Sequence, residues 1–440
     1  MNSQRRLKKS MLDKLVQVFK IKDLRKKIIF VLMVFVIFRL MASIPMPGIN
    51  PENLQEFFAR FKMLGFLSVL TGGALSRFSI IMLGIGPYIT SVIILQLLTM
   101  IFPGLERLYK EEGEAGKKKF NQYGRLLTIP LAFLQGYTML AWLQRPPTPV
   151  ISPPLDFFGT ITALLTITAG TVFLMWLGEL ITEKGIGNGV SLLIFAGIVA
   201  SLPMNVFQAF QDVSVDPAKI TGYVLFFLLS LVIIAGVVLI TEGRRNVPIS
   251  YAKRVRGNKM YGGVSTYLPM NINPAGVIPI IFAMSILLLP EMVANFLGGA
   301  GGMVGSAAQS VASFMANAWV RGGLYFIFVV LFTYFYTAVT FNPKSISENL
   351  QKMGGFVPGI RPGESTAKFI KYILNRVLLI GALFLASIAV MPSVVGGITG
   401  VQNVFGFLIG GTSVLIVVSV VLETMKQVNS QLEMRDYDTF

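Results

Sequence analysis

The hydrophobic residues of this chain come in continuous runs of about 20, separated by shorter polar stretches. That length suits a membrane-crossing helix, which needs about 20 apolar residues. Ten spans are predicted, at 28–44, 76–101, 121–143, 157–179, 189–208, 219–240, 274–295, 319–341, 372–391 and 403–423. In lipid only helices and closed barrels satisfy the backbone, and continuous rather than alternating runs select helices. One apolar piece, FLSVLTGGAL at 66–75, is too short to span. It reads either as an outer-surface hairpin or as a short helix folded back into the bundle.

Composition agrees with this pattern. The 440 residues are 54% hydrophobic and 13% charged, against about 25% charged in soluble domains. The net charge of +17 is unevenly distributed. Lys and Arg number ten in 1–27, five in 102–120, six in 241–272 and five in 342–371. The alternate loops are nearly bare: 145–156 holds only Arg145 and 296–318 holds neither type. The positive-inside rule then puts the basic loops and both termini in the cytoplasm, which requires an even number of spans. The basic-then-apolar N-terminus has the outline of a signal peptide. Its basic part is very long, however, and MASIPMPG is a weak cleavage site, so a retained first helix is expected.

Five spans plus five suggest an inverted repeat, because a duplicated odd-numbered unit reverses its orientation. The second span of each half is punctuated alike, by Gly84, Gly86 and Pro87 in the first and by Pro274, Gly276 and Pro279 in the second. Interrupted helices at corresponding positions point to the working site of such folds. In LGIGPYI, the interruption is expected to loosen a helix that shows Ile85 and Ile89 on one face.

Much chemistry is excluded. With Cys 0 and His 0 there is no disulfide, thiol chemistry or imidazole base. No phosphate-binding loop motif or metal-ligand spacing occurs, so no enzyme activity and no cofactor is expected. Arg39 lies near the outer end of the first span, from which its side chain can snorkel. Glu179, Glu242 and Glu423 fall at cytoplasmic ends. Ion-coupled transporters keep acidic residues near the midplane. Here the centre is apolar, and a ring of aliphatic side chains can gate by shedding water. A solute transporter and a poreless membrane scaffold are the rival readings. Loops 241–272 and 342–371 are longer than an orientation signal needs. Their basic residues suit a large acidic partner or anionic lipid.

Five segments carry a family resemblance: GGALSRFSIIMLGIGPYI (72–89), VFLMWLGELITEKGIGNGVSLLIFAGI (172–198), YLPMNINPAGVIPIIFA (267–283), FVPGIRPGESTAKFI (356–370) and GGTSVLIVVSVVLE (410–423). In this order the chain resembles, over nearly its whole length, the bacterial SecY family, the channel subunits of the Sec protein translocase. The resemblance implies an all-α polytopic membrane protein of ten transmembrane helices in two pseudo-symmetric inverted five-helix halves. The halves are 28–210 and 211–423, between a basic N-terminus (1–27) and a cytoplasmic tail (424–440). It implies a non-enzymatic protein-conducting channel in the bacterial inner membrane. Unfolded precursors would cross it, and signal sequences and membrane helices would leave sideways through a lateral gate.

The family's pore ring corresponds to Ile85, Ile89, Val190, Ile194, Ile281 and Ile416, with Val190 standing where relatives commonly have Ile. Its plug corresponds to about 61–75, with Phe61, Leu64, Phe66, Leu67, Leu70, Thr71 and Gly72, which decides the reading of the short apolar piece. Gln96 and Asn273 match polar positions of the lateral gate. Arg244, Arg245, Lys253, Arg254, Arg256, Lys259 and Arg361 match the docking surface for the SecA motor or the ribosome. GNK at 257–259 stands where some relatives have Gly-Arg-Arg. SecE and SecG subunits and anionic lipids complete the implied partners.

Overall fold

A computed structural model of the chain describes residues 20–60, 68, 71–144, 150–151, 155–251, 254–256, 259–261, 265–297, 302–399 and 411–438. These form two compact units, Met1–Gln211 with Ile416–Phe440, and Asp212–Leu415. The protein is mostly helical, as its apolar runs require.

In the first unit, α1 (Lys22–Ala42) is followed by the short α2 (Pro51–Arg60), α3 (Gly86–Ile101), α4 (Pro103–Lys110), α5 (Gly113–Leu143), α6 (Phe157–Lys184) and α7 (Gly189–Val215). The second holds α8 (Ile220–Glu242), α9 (Ile278–Leu297), α10 (Gly302–Ala316), α11 (Ala318–Thr340), α12 (Pro343–Lys352) and α13 (Glu364–Thr399). The last helix, α14 (Gly411–Asp438), begins in the second unit and continues in the first. Among the described residues seven helices are long and apolar enough to cross a membrane. The pair α3 and α4, bent by 112°, makes an eighth span if counted as one. With α1, which starts in basic residues, and α9, whose apolar stretch is Ile278–Leu287, helices lie over all ten predicted runs.

The second run departs from expectation. The helix predicted over 76–101 begins only at Gly86, and residues 71–85 run as successive turns. Hydropathy does not separate these states, because an apolar turn and an apolar helix read alike. Non-helical backbone at membrane depth survives only inside protein, with its polar groups paired. Both conditions hold. Met82 N–H donates to Ser79 O (2.9 Å) and Gly84 N–H to Ile81 O (2.9 Å), while Ile80 N–H reaches Ile44 O (3.2 Å) and Met46 N–H reaches Phe78 O (2.9 Å). Leu75, Phe78 and Met82 sit in a core with Met139, Leu140, Leu143, Leu164 and Ile167. Phe78 takes φ 49°, alone among described non-glycine residues in that region. Such a conformation costs on the order of 1–3 kcal/mol, and the almost complete burial of its ring offsets it.

Polar glue fixes the helices beside this segment. The Ser91 hydroxyl on α3 donates to Gly124 O of α5 (2.9 Å) and lies 3.0 Å from the Thr128 hydroxyl. Across α5 and α6, Arg125 Nε donates to Glu179 Oε1 at 2.6 Å.

The long basic loops are not simple loops. β1 (Arg244–Tyr251) pairs antiparallel with β4 (Ser265–Asn271) and, at its end, with β5 (Gly355–Phe356). β2 (Arg254–Arg256) and β3 (Lys259–Tyr261) form a second two-stranded ladder between them. Val247 and Ile249 alternate inward on β1. They meet Met270, Leu350, Val357, Ile370 and Leu374 in a separate small core. Loops 241–272 and 342–371 therefore fold as one module. Ile370 is fully buried in that core, and its truncation to Ala should cost about 2–5 kcal/mol of local stability. The Ile370→Ala variant is expected to be cut by trypsin at Arg244 and Arg245 much faster than the parent, with the spanning helices intact. Equal cleavage rates would mean that the two loops do not stabilise each other.

Candidate functional site

The glycines and prolines of the two punctuated spans do not weaken helix interiors. They start helices. Gly84 (φ 58°) and Gly276 (φ 64°) each adopt the left-handed conformation two residues before a helix begins. Pro87 and Pro279 then occupy the second helical position, where the missing N–H is one of the donors that no intrahelical carbonyl reaches. Ile89 and Ile281 are each the fourth helical residue, with their N–H groups directed to Ile85 O (3.0 Å) and Val277 O (3.4 Å). Both units thus carry one local device, Gly-x-x-Pro-x-Ile, at 84–89 and 276–281. The pattern is legible in the sequence as a six-residue repeat.

Four of the ring positions are close neighbours in pairs. Ile85 caps α3 one turn before Ile89, and Val190 and Ile194 are one turn apart on α7. Ile85 and Ile194 are buried, while Ile89 and Val190 are half-buried. Val190 also packs toward α6, with a methyl 3.4 Å from the place a Cβ at Gly178 would take. Ile416 is buried on α14. Ile281 belongs to the second unit and is half-buried there.

Of the plug positions, Phe61, Leu64, Phe66, Leu67 and Leu70 lie outside the described residues, and Thr71 and Gly72 lie within them. Both sit against the ring neighbourhood of the first unit. A Cβ at Gly84, next to Ile85, would fall 2.7 Å from the Thr71 methyl. A Cβ at Gly72 would fall 3.1 Å from the Gly197 Cα, one turn from Ile194, and 3.2 Å from the Phe38 ring. The turn is laced by its own side chains: Thr71 Oγ1 donates to Ser68 O (3.1 Å) and accepts from Leu75 N–H (3.2 Å).

Gln96 on α3 and Asn273 just before α9 are both buried. Asn273 Nδ2 donates to Gly276 O (3.0 Å) and so steadies the turn that starts α9. Among the described residues the side-chain oxygens of both have no partner. An acceptor left so costs about 1–3 kcal/mol.

Arg244 and Arg245 open β1 and are exposed. The Arg244–Glu242 pair, 4.0 Å apart and open to solvent, contributes little. Arg254, Arg256 and Lys259 are placed by backbone register on the β2–β3 ladder, Arg256 opposite Lys259. Lys253 lies outside the described residues. Arg361 is exposed on a turn held from both sides, by Ser347 Oγ donating to Gly363 O (2.6 Å) and Thr366 Oγ1 donating to Arg361 O (2.9 Å). Sequence reasoning missed the Arg125–Glu179 pair, whose members are 54 positions apart. It also read Arg39 as snorkelling outward, whereas its Nη1 donates inward to Gly72 O. Neither residue carries a local signal for its partner.

The SecY family model matches residues 79–425. The chain is 41% identical over 444 residues to the protein translocase subunit SecY of Streptomyces scabiei, covering 98% of this chain and 100% of that one. This chain belongs to the SecY family. Its fold is similar to that of a SecY structure described by the role of the SecY plug domain in stabilising the closed state of the translocation channel and maintaining a membrane seal (TM-score 0.64, 18% identity, 91% of each chain). It is similar also to Sec61 in a canine ribosome–channel complex (TM-score 0.60, 18% identity, 91% of each chain).

The Thr71–Gly84 contact is directly testable. Gly84→Ala imposes a left-handed alanine and drives its Cβ against the Thr71 methyl. The expected loss is about 1–3 kcal/mol in the unfolding of the purified chain. Thr71→Ser, which removes that methyl and keeps the hydroxyl, should restore part of it. Additive losses in the double variant would show that the two residues are not in contact.

Proposed function

We propose that this SecY-family chain is the channel-forming subunit of a protein translocase, with no enzymatic activity of its own. Unfolded secretory proteins cross the bacterial inner membrane through it, and both termini face the cytoplasm. The observation that carries this reading is the seat of the 71–73 turn. This turn packs inside the first unit, against the neighbours of Ile85 and Ile194. A transporter or a scaffold has no use for such a stopper.

On this reading Ile85, Ile89, Val190, Ile194, Ile281 and Ile416 form the aliphatic gasket of the pore, and 61–75 is the plug. Aliphatic side chains adapt to a passing chain while making few specific contacts, and they shed water when the chain is gone. Gln96 and Asn273, whose buried oxygens have no partner among the described residues, are the polar positions of the lateral gate on this reading. A buried unpaired acceptor favours opening toward a polar group on an entering signal sequence.

The β1–β4–β5 module, with Arg244, Arg245, Lys253, Arg254, Arg256, Lys259 and Arg361, is the docking face for the SecA motor or the ribosome. A ribosome-bound channel among the fold relatives supports it. SecE, SecG and anionic lipids at the basic cytoplasmic rim are the remaining partners.

The chain contains no cysteine, so one can be placed at Ile281 and another in a stalled precursor. Oxidation should join the two. A cysteine at Leu231, exposed on the outer face of α8, should stay free. Precursor that never reaches 281 in a folded, partner-bound variant returns the transporter and scaffold readings. Ile281→Asn should raise resting ion leakage and admit precursors with defective signals. Unchanged leakage and discrimination would remove Ile281 from the gasket.

A further inference from the structure

Arginine is expensive at membrane depth and persists there when it has a partner. Arg39, in the last turn of α1, is half-buried and spends its charge inward. Its Nη1 donates to the carbonyl of Gly72, a residue held at φ 68°. That carbonyl belongs to a turn, and among the described residues no backbone N–H donates to it.

The same residue is clamped sterically. Phe38, the neighbour of Arg39, closes on one side of Gly72 and Gly197 of α7 closes on the other, each within about contact distance of the missing Cβ. Gly72 therefore has no side chain of its own to hold it in this cleft. Its polar anchor is the arginine. A second, exposed arginine adds a weaker tie on the same side: Arg77 Nη1 donates to Ser43 Oγ at 3.3 Å.

We propose that Arg39 is a latch, a positioning residue that holds the Gly72 turn, the described end of the plug, against α1 and α7 in the resting channel. The inference rests on the plug reading above. A single charged hydrogen bond to a backbone carbonyl suits this task. It is strong enough to bias the resting state, it can be broken and remade with no change in composition, and it asks nothing of the plug's side chains.

The test uses the full chain with its partner subunits in proteoliposomes, with potassium efflux as the readout. Arg39→Met should raise resting efflux about tenfold or more, the shift expected on losing one charged hydrogen bond. Unchanged efflux would overturn the latch. A second measurement separates release of the plug from general damage. A Cβ at Gly84 would lie 3.5 Å from the Thr71 Cβ, within disulfide range. Thr71→Cys with Gly84→Cys therefore locks the turn on oxidation. In the Arg39→Met background the formed disulfide should return efflux to the level of the locked parent, and a leak that persists would overturn the latch. The plug reading has its own control. In the Arg39 parent the disulfide should block precursor passage. Passage through the locked channel would sink the plug reading itself, whereas failure of the latch alone leaves that block in place.

Discussion

The structure depends on one constraint: backbone polar groups at membrane depth have no water to bond. A helix meets this internally, and the spanning helices need no further explanation. Residues 71–85 are different. They leave helical geometry among apolar helices, and each amide must find a partner that the fold supplies. Part of the answer is local, in the turn bonds from Met82 to Ser79 and from Gly84 to Ile81. Part is the antiparallel bridge of Pro45 with Ser79. Side-chain hydroxyls supply others: Thr71 Oγ1 accepts from Leu75 N–H, Ser68 Oγ from Ser76 N–H and Ser79 Oγ from Ile81 N–H. A Cβ at Gly170 on α6 would fall 2.3 Å from the Ile80 carbonyl, so that helix approaches the turn as nearly as its backbone allows. The segment is kept irregular by its surroundings.

This explains what the sequence showed and what it hid. Span number and charge asymmetry are properties of composition in a window, and helices lie over all ten runs. The start of α3 was misplaced by about ten residues because windowed hydropathy is blind to φ. Phe78 looks like any other residue of an apolar run, and only its neighbours Met139, Leu140 and Ile167 hold it in a left-handed turn. The strands of the β1–β4–β5 module were hidden for a related reason. β1 alternates over few positions, and the core that makes it a strand is completed by Leu350 and Ile370, about a hundred residues later.

The site was legible to the degree that its chemistry is local. Gly-x-x-Pro-x-Ile is written twice in the chain, and each copy builds the same helix start with an isoleucine in its first turns. Pairings such as Arg39 with Gly72 and Arg125 with Glu179 are long-range and have no local signature. They emerge only when the segments that carry them are side by side.

An apolar constriction has a consequence for the rest of the molecule. A site that recognises its cargo by hydrogen bonds rejects analogues strongly, because a missing partner leaves a buried polar group unpaired. Aliphatic side chains impose no such penalty, so they cannot choose among passing chains. On the channel reading, selectivity has to lie elsewhere. It falls to groups that bear a penalty when unmatched, such as the oxygens of Gln96 and Asn273, which have no partner among the described residues, and to the proposed docking of the exposed arginines of the β1–β4–β5 module. Indifference at the centre and discrimination at the edges are then two results of one choice of residues. A polar substitution in the gasket would disturb the seal and the admission of cargo together, because it adds a preference at the one place that works by having none.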